Sequence, residues 1–191
     1  VEALMNEERP NVEPQLNQSF MLGLLLAIVD EENFSRLKWR QALNEGDKAA
    51  QHAGSLAAYD KGYYNLSLQA AARAQYPGGI ALRYPRVYLD FIKTYSDDNF
   101  FTNPIILGLI RQESLFHERA KSQANAYGLM QLLIPTAKKV SESLEEEERD
   151  SLYNPDANIR YGVTYLQSLK DEVGACMPYV LASYNAGPHK V

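Results

Sequence analysis

Glu113 sits where the local pattern calls for a hydrophobe. In "NPIILGLIRQES", residues 103–114, Ile106, Leu109 and Ile110 fall on one helical face, and the next position on that stripe is Glu113. A carboxylate held against apolar neighbours loses hydration, which disfavours its charged form and raises its pKa. A carboxylic acid still protonated near neutral pH is what protonation of an ether or glycosidic oxygen requires. The plainer alternative is a glutamate at a helix end that bends to solvent or caps a neighbour. On this helix alone the plainer reading is the stronger, because structural networks also perturb carboxylates.

Three further stretches change that balance. "SQANAYGLMQLLIPTA" (122–137) contains a Gly-Leu-Met-Gln core, "NPDANIRYGVTYL" (154–166) carries an asparagine and a mid-helix glycine, and "ASYNAGP" (182–188) ends a helix with Tyr and Asn beside a tight turn. With "RQES" they form an ordered set that resembles the soluble lytic transglycosylase family of peptidoglycan-cleaving enzymes. The resemblance covers residues 80–191 and extends more loosely back through "GYYNLSLQAAARA". It implies a lysozyme-like helical catalytic domain in which Glu113 is the single catalytic acid, cleaving between N-acetylmuramic acid and N-acetylglucosamine. Ser114 completes the family's Glu-Ser pair, Met130 and Gln131 match its substrate-groove pair, and Ser122, Tyr184 and Asn185 match positions near the scissile sugar.

Each of these also has a structural reading. Ser114 can bond helix backbone, Met130 can be core, and Tyr184 can be a core ring with its hydroxyl in water. Tyr184 also has a physical route to function, since its hydroxyl within reach of Glu113 would hold the acid's rotamer. Gly162, inside a helical pattern, costs about 1 kcal/mol relative to Ala, which close helix packing explains without chemistry. Most of the 13 tyrosines are expected to be scaffold. Two departures from the family pattern stand out. Asn125 replaces a usual glycine in "QANAYG", and asparagine tolerates positive φ better than other non-glycine residues. The chain also ends soon after "YNAGP", so the domain is expected to be incomplete at its C-terminus.

Ordinary glycosidases need a second carboxylate, as nucleophile or as base for water. Glu118 lies off the face of Glu113, and Glu145 to Glu148 reads as a solvated run. The resemblance implies a different solution, in which the sugar's own 2-acetamido group supports the anomeric carbon and Glu113 then deprotonates the 6-hydroxyl, leaving a 1,6-anhydro ring. No cofactor or metal takes part. The competing readings are a lysozyme-type hydrolase on the same fold and a catalytically silent binding module built on stacked helices. The implied substrate places the protein in the periplasm or bacterial cell envelope, with peptidoglycan glycan strands as its partner.

The bulk properties fit a globular domain rather than a disordered chain: 191 residues, 46% hydrophobic, 23% charged, net charge −5. Scattered Lys and Arg at a pI near 5.3 argue against nucleic acid, which needs a concentrated basic face. "FMLGLLLAIV" (20–29) is about half the length a membrane-spanning helix needs and reads as a buried helix, so no transmembrane segment is expected. It does not read as a signal peptide, and the abrupt start at Val1 leaves room for a targeting segment removed ahead of it. A lone Cys176 cannot form an internal disulfide.

The elements that must position Glu113 read as helices throughout, giving an all-α chain. Two are expected from Pro14 to Asn44, broken near "DEENFS", and two alanine-rich ones either side of Gly62, together resembling part of an α-solenoid. "YPGG" and "RYP" are the strongest punctuation and set a boundary between a helical region, 1–79, and a catalytic domain, 80–191. Beyond it, helices are expected over "RVYLDFIKTYS", from Asn103 as cap to about Phe116, from Pro135 to about Leu144, from Asn154 as cap to Val173, and from Pro178 to "NAGP".

Overall fold

Helices begin where capping side chains stand. In the computed structural model, which describes residues 16–76, 79–96, 100–145 and 151–191, the Asn17 side chain accepts from the Phe20 amide and starts α1, Gln18–Ile28. Asp47 does the same for α3, Lys48–Asp60, by accepting from Ala50. Between them lies α2, Glu32–Glu45, and after them α4, Tyr64–Ala74, entered through Gly62 at φ +80. The chain divides into two compact units, residues 1–86 and 87–191. The expected boundary at 79/80 precedes a short helix, α5 (Ile80–Arg83), which packs on α3 and α4 and so extends the first unit. Pro77 and Gly78 of the "YPGG" punctuation, and Pro14, lie outside the described residues.

The first unit is two helix hairpins, α1–α2 and α3–α4, packed through α1 on α3 and α2 on α4. Phe20 and Trp39, both fully buried, meet edge to face with ring centroids 4.9 Å apart, and the Trp39 indole donates to the Leu66 carbonyl at 3.1 Å. Burying a Phe-sized side chain stabilises by roughly 2–3 kcal/mol. Gly54 makes room for it, since a Cβ there would lie 2.6 Å from a Phe20 ring carbon. One expectation needs correcting. Helix α1 is not buried on all sides: Met21, Leu22, Leu25, Ile28 and Val29 are 41–65% exposed, because a helix that packs on one hairpin partner and one neighbour buries only a stripe.

The second unit holds α6 (Leu89–Tyr95), α7 (Asn103–Ser114), α8 (Ile134–Ser143), α9 (Pro155–Val173) and α10 (Met177–Ala186), closing with a 3₁₀ turn at Pro188–Lys190. Helix α9 is its strut: 19 residues, roughly 28 Å long, capped by Asn154 on the Ala157 amide and stopped by Gly174 at φ +86. It packs on α6, α8 and α10. Helix α7 is preceded by Thr102 as its cap rather than Asn103, and the Asn103 side-chain oxygen is buried without a hydrogen-bond partner among the described residues. The sequence pattern misses a small antiparallel hairpin, β1 (Ala126–Tyr127) with β2 (Leu132–Leu133), because two-residue strands are too short for period-2 alternation to register. Glu145 is exposed, and Glu146–Glu148 lie outside the described residues. Among the described residues no helix is long and apolar enough to cross a membrane.

Candidate active site

The stripe that leads to Glu113 has the expected burial. Ile106 and Ile110 are fully buried, Leu109 is partly so, and Glu113 is half-buried one turn on. The helix stops immediately afterwards because Leu115 (φ +52) and Phe116 (φ +61) turn left-handed, with the Phe116 ring buried as the anchor of that reversal. Burial raises the pKa of Glu113, and among the described residues no neighbouring carboxylate adds to that shift. Its place in the last turn acts the same way, since the partial negative charge of a helix C-terminus opposes a carboxylate. Ser114 points its hydroxyl back to the Ile110 carbonyl at 3.1 Å, so its bond is spent within the helix.

Residues 120–133 form a tightly bonded turn and hairpin. The Ser122 hydroxyl oxygen accepts from Ala126 N at 3.0 Å, while the Ser122 carbonyl accepts from Asn125 N and the Ser122 amide donates to Ala126 O. Asn125 takes the left-handed conformation, φ +58, in the place where a glycine is usual. Gln131, also left-handed at φ +50, donates its side-chain amide to the carbonyls of Gly128 (3.0 Å) and Ala120 (3.3 Å). Gly128 has φ +76, and a Cβ there would fall 2.1 Å from Leu152 O and 2.3 Å from Asn158 Nδ2. No other residue fits.

Met130 is the centre of this construction. Its side chain is fully buried, the core placement that stands beside the groove role the resemblance implies. It fills the space over Gly162, where a Cβ would lie 2.3 Å from the Met130 sulfur. Its amide donates to Asn158 Oδ1 at 2.7 Å, and its carbonyl accepts the Tyr184 hydroxyl at 2.8 Å. The buried Asn158 spends its other end on the carbonyls of Tyr127 (3.0 Å) and Leu152 (2.9 Å). Asn158 lies in a quoted motif without a predicted role. Its signal is a polar residue on the buried face of a helix, a position that must be fully hydrogen-bonded to be tolerated.

Tyr184 differs from expectation in the direction of its bond. Its single hydroxyl hydrogen goes to the Met130 carbonyl rather than to the Glu113 carboxyl. The phenol's pKa is pushed well above the ordinary tyrosine value, first by burial, then by the negative charge of Glu113 and by Tyr165, so acid and phenol share one low-dielectric neighbourhood. What the hydroxyl has left for Glu113 is a lone pair. That suits the protonated acid as donor and disfavours the anion. Asn185 is exposed at the end of α10. Of the candidate second carboxylates, Glu118 accepts the Tyr88 hydroxyl at 2.6 Å and Glu145 is exposed; Asp156 accepts the Tyr95 hydroxyl at 2.8 Å, and Glu142 pairs with Lys138. Among the described residues no cluster of metal-ligating side chains is present.

The model of the transglycosylase SLT domain matches residues 90–191, more than half of the chain and all of the elements around Glu113. The chain belongs to the transglycosylase SLT-domain family. Its similarity extends beyond the domain: the soluble lytic murein transglycosylase of Escherichia coli K12 is 28% identical over 163 residues, 84% of this chain and 25% of that protein. A membrane-bound lytic murein transglycosylase C from Glaesserella parasuis is 34% identical over 113 residues, 53% of this chain and 31% of that protein. Among solved structures, a 70 kDa soluble lytic transglycosylase in complex with bulgecin A superposes with a TM-score of 0.79 at 26% identity, covering 96% of this chain and 30% of that one. An inactive glutamate-to-glutamine mutant of a Pseudomonas aeruginosa lytic transglycosylase superposes at 0.77 and 25% identity, covering 94% of this chain and 31% of that one. This SLT-domain chain therefore spans between a quarter and a third of the length of these relatives, and shares their all-α, lysozyme-like architecture.

Proposed function

We propose that this chain carries the catalytic machinery of a lytic transglycosylase, cleaving the β-1,4 bond between N-acetylmuramic acid and N-acetylglucosamine in peptidoglycan without adding water. The observation that carries the reading is Glu113: one half-buried acid, its pKa raised by burial, with no second carboxylate acting on it among the described residues. The inactive glutamate-to-glutamine mutant of the Pseudomonas relative supports a glutamate as the essential group in that protein. The same substrate places this protein in the bacterial cell envelope.

The chemistry follows from having one acid. Protonated Glu113 gives its proton to the glycosidic oxygen as the bond from that oxygen to C1 of the muramoyl ring breaks, and N-acetylglucosamine leaves with the proton. The carbonyl oxygen of the muramoyl 2-acetamido group shares the positive charge at C1. The Glu113 carboxylate then takes the proton of the 6-hydroxyl, the 6-oxygen bonds to C1, and Glu113 is again an acid. Burial serves the first half by keeping the proton on, and it makes the resulting anion a stronger base for the second. Tyr184, fixed on the Met130 carbonyl, accepts from the acid form and orients it. In this reading Ser122, Gln131 and the exposed Asn185 contact the glycan, and Ser114 and Met130 act through the backbone and core they support.

The products test this reading against hydrolysis. The 6-hydroxyl is tethered to the reacting ring, and such intramolecular attack benefits from effective molarities of roughly 10⁵ M or more. Muropeptides released from purified peptidoglycan should carry 1,6-anhydro ends that resist borohydride. Ends that gain two hydrogens on reduction would make the protein a lysozyme-type hydrolase, and no released fragments at all would make it a binding module.

A further inference from the structure

Glu118 is the next carboxylate along the chain from Glu113. Its Oε1 accepts the Tyr88 hydroxyl at 2.6 Å, joining residues 30 apart in sequence. That is the short distance of a phenol on a carboxylate, about 2.5–2.7 Å for a charge-assisted bond. Glu118 lies within two consecutive turns: the His117 amide donates to the Ser114 carbonyl at 3.1 Å, and the Ala120 amide to the His117 carbonyl at 3.1 Å. The run begins at the residue after the acid. It ends at Ala120, whose carbonyl accepts from the Gly128 amide at 2.9 Å and from the Gln131 side chain at 3.3 Å. These few residues are the direct link from the end of α7 to the hairpin. We propose that Tyr88 and Glu118 are a positioning pair for Glu113, their hydrogen bond pinning the turn that fixes the end of α7 on which the acid stands.

The turn is one that needs holding. Leu115 (φ +52) and Phe116 (φ +61) are left-handed without being glycine, and so is Tyr88 (φ +60) at the other end of the bond. Such backbone persists only where its surroundings over-determine it. The buried Phe116 ring fixes the reversal at one point, and the Tyr88–Glu118 bond fixes it at a second, two residues on. With one point gone the reversal can pivot. The Leu115 amide, which closes α7 on the Arg111 carbonyl at 3.1 Å, would then loosen the last turn and the acid with it. A misplacement of about 1 Å can cost a reaction as much as about 10²-fold. The base of the pin is firm. Helix α6 packs on α7 and α9 through fully buried Ile92, and its far end is tied by the Tyr95 hydroxyl on Asp156 Oδ1 at 2.8 Å. That second phenol–carboxylate bond ends on the first turn of α9, which Asn154 caps independently. It is the same chemistry on the same helix, away from the acid's turn.

The proposal rests on Glu113 as the acid of the proposed reaction, and the test separates the two. Tyr88→Phe and Tyr95→Phe each remove one hydroxyl and should lower the melting temperature alike. On peptidoglycan, only Tyr88→Phe should lower kcat, by about tenfold with KM within about twofold. Glu118→Ala should match it, whereas Glu118→Gln, which keeps an acceptor oxygen, should recover most of the native rate. The double variant Tyr88→Phe with Glu118→Ala should be no worse than either single one, because two partners of one bond are not additive. A native kcat in Tyr88→Phe, an equal loss in Tyr95→Phe, or losses that multiply in the double variant would overturn the proposal. If the native protein makes no anhydro ends, the reaction reading fails by itself. Hydrogen exchange of the His117 and Ala120 amides then decides for the pair without any turnover: faster in Tyr88→Phe but not in Tyr95→Phe supports it, and unchanged exchange overturns it.

Discussion

The two units solve the same problem, burying helices, by different means. In the first, rings fill space that small residues leave: Phe20 against Gly54 and against Trp39. Its left-handed residues, Asp30, Gly62 and Gln75, stand at helix ends, where the chain only has to reverse. In the second, Tyr88, Glu145, Gly174 and Gly187 likewise stand at helix ends, but five more left-handed residues, Leu115, Phe116, Asn125, Gly128 and Gln131, crowd into one stretch, and side chains reach from distant helices to hold its backbone. Backbone in unusual conformations persists only where its surroundings over-determine it, and it gathers at functional sites. The difference teaches that the first unit is organised by apolar packing. The second is organised around one peptide, Met130, and one acid, Glu113.

Substitutions that strike the acid should show the largest effect. Glu113→Gln keeps the shape and removes the transferable proton, so turnover should fall by about 10²–10⁴-fold or more, with the melting curve checked alongside. The same variant should also be the more stable protein at high pH. A carboxyl raised above its unfolded value of about 4.3 opposes folding once pH rises through the raised pKa. Glu113→Gln should therefore match the native protein at low pH and exceed its melting temperature above the raised value. Equal melting at all pH values would mean that burial does not strain the anion.

A backbone effect follows. Gly128→Ala must push a methyl into Leu152 O and Asn158 Nδ2 at φ +76. A loss of about 3–5 kcal/mol in denaturant unfolding is expected. A side chain tolerated there would mean that the Met130 construction is looser than described. Tyr184→Phe should lower turnover about tenfold while costing only about 1 kcal/mol of stability, the worth of one hydrogen bond. If activity and melting fall together, Tyr184 is scaffold alone. The smallest effect belongs to Asn125→Gly, which should change stability by under about 1 kcal/mol in either direction, since glycine relieves φ +58 but frees the unfolded chain.

Sequence carries the helices and the half-burial of Glu113 well, for identifiable reasons. Asn17, Asp47 and Asn154 are side-chain caps whose effect is local, and the Ile106–Ile110–Glu113 stripe is periodicity within one helix. What it hides is long-range. Nothing local says that Asn158 reaches Met130, 28 residues away, or that the Tyr184 hydroxyl prefers a carbonyl 54 residues away to the neighbouring acid. The buried side chain of Met130 is illegible for the same reason, because whether "GLMQ" shows its methionine to a groove or to Gly162 depends on where α9 lies. The exposed apolar face of α1 misleads in the opposite way: composition says buried, and only packing says which stripe.

The central claim is that the apolar stripe of α7 keeps Glu113 protonated at pH values where an ordinary glutamate is ionised. A carbon-13 titration of its side-chain carboxyl, assigned by comparison with Glu113→Gln, measures this with no substrate present. The account predicts a midpoint clearly above the ordinary value of about 4.3, with the alkaline limb of activity falling at the same pH. A midpoint at or below the ordinary value would contradict it.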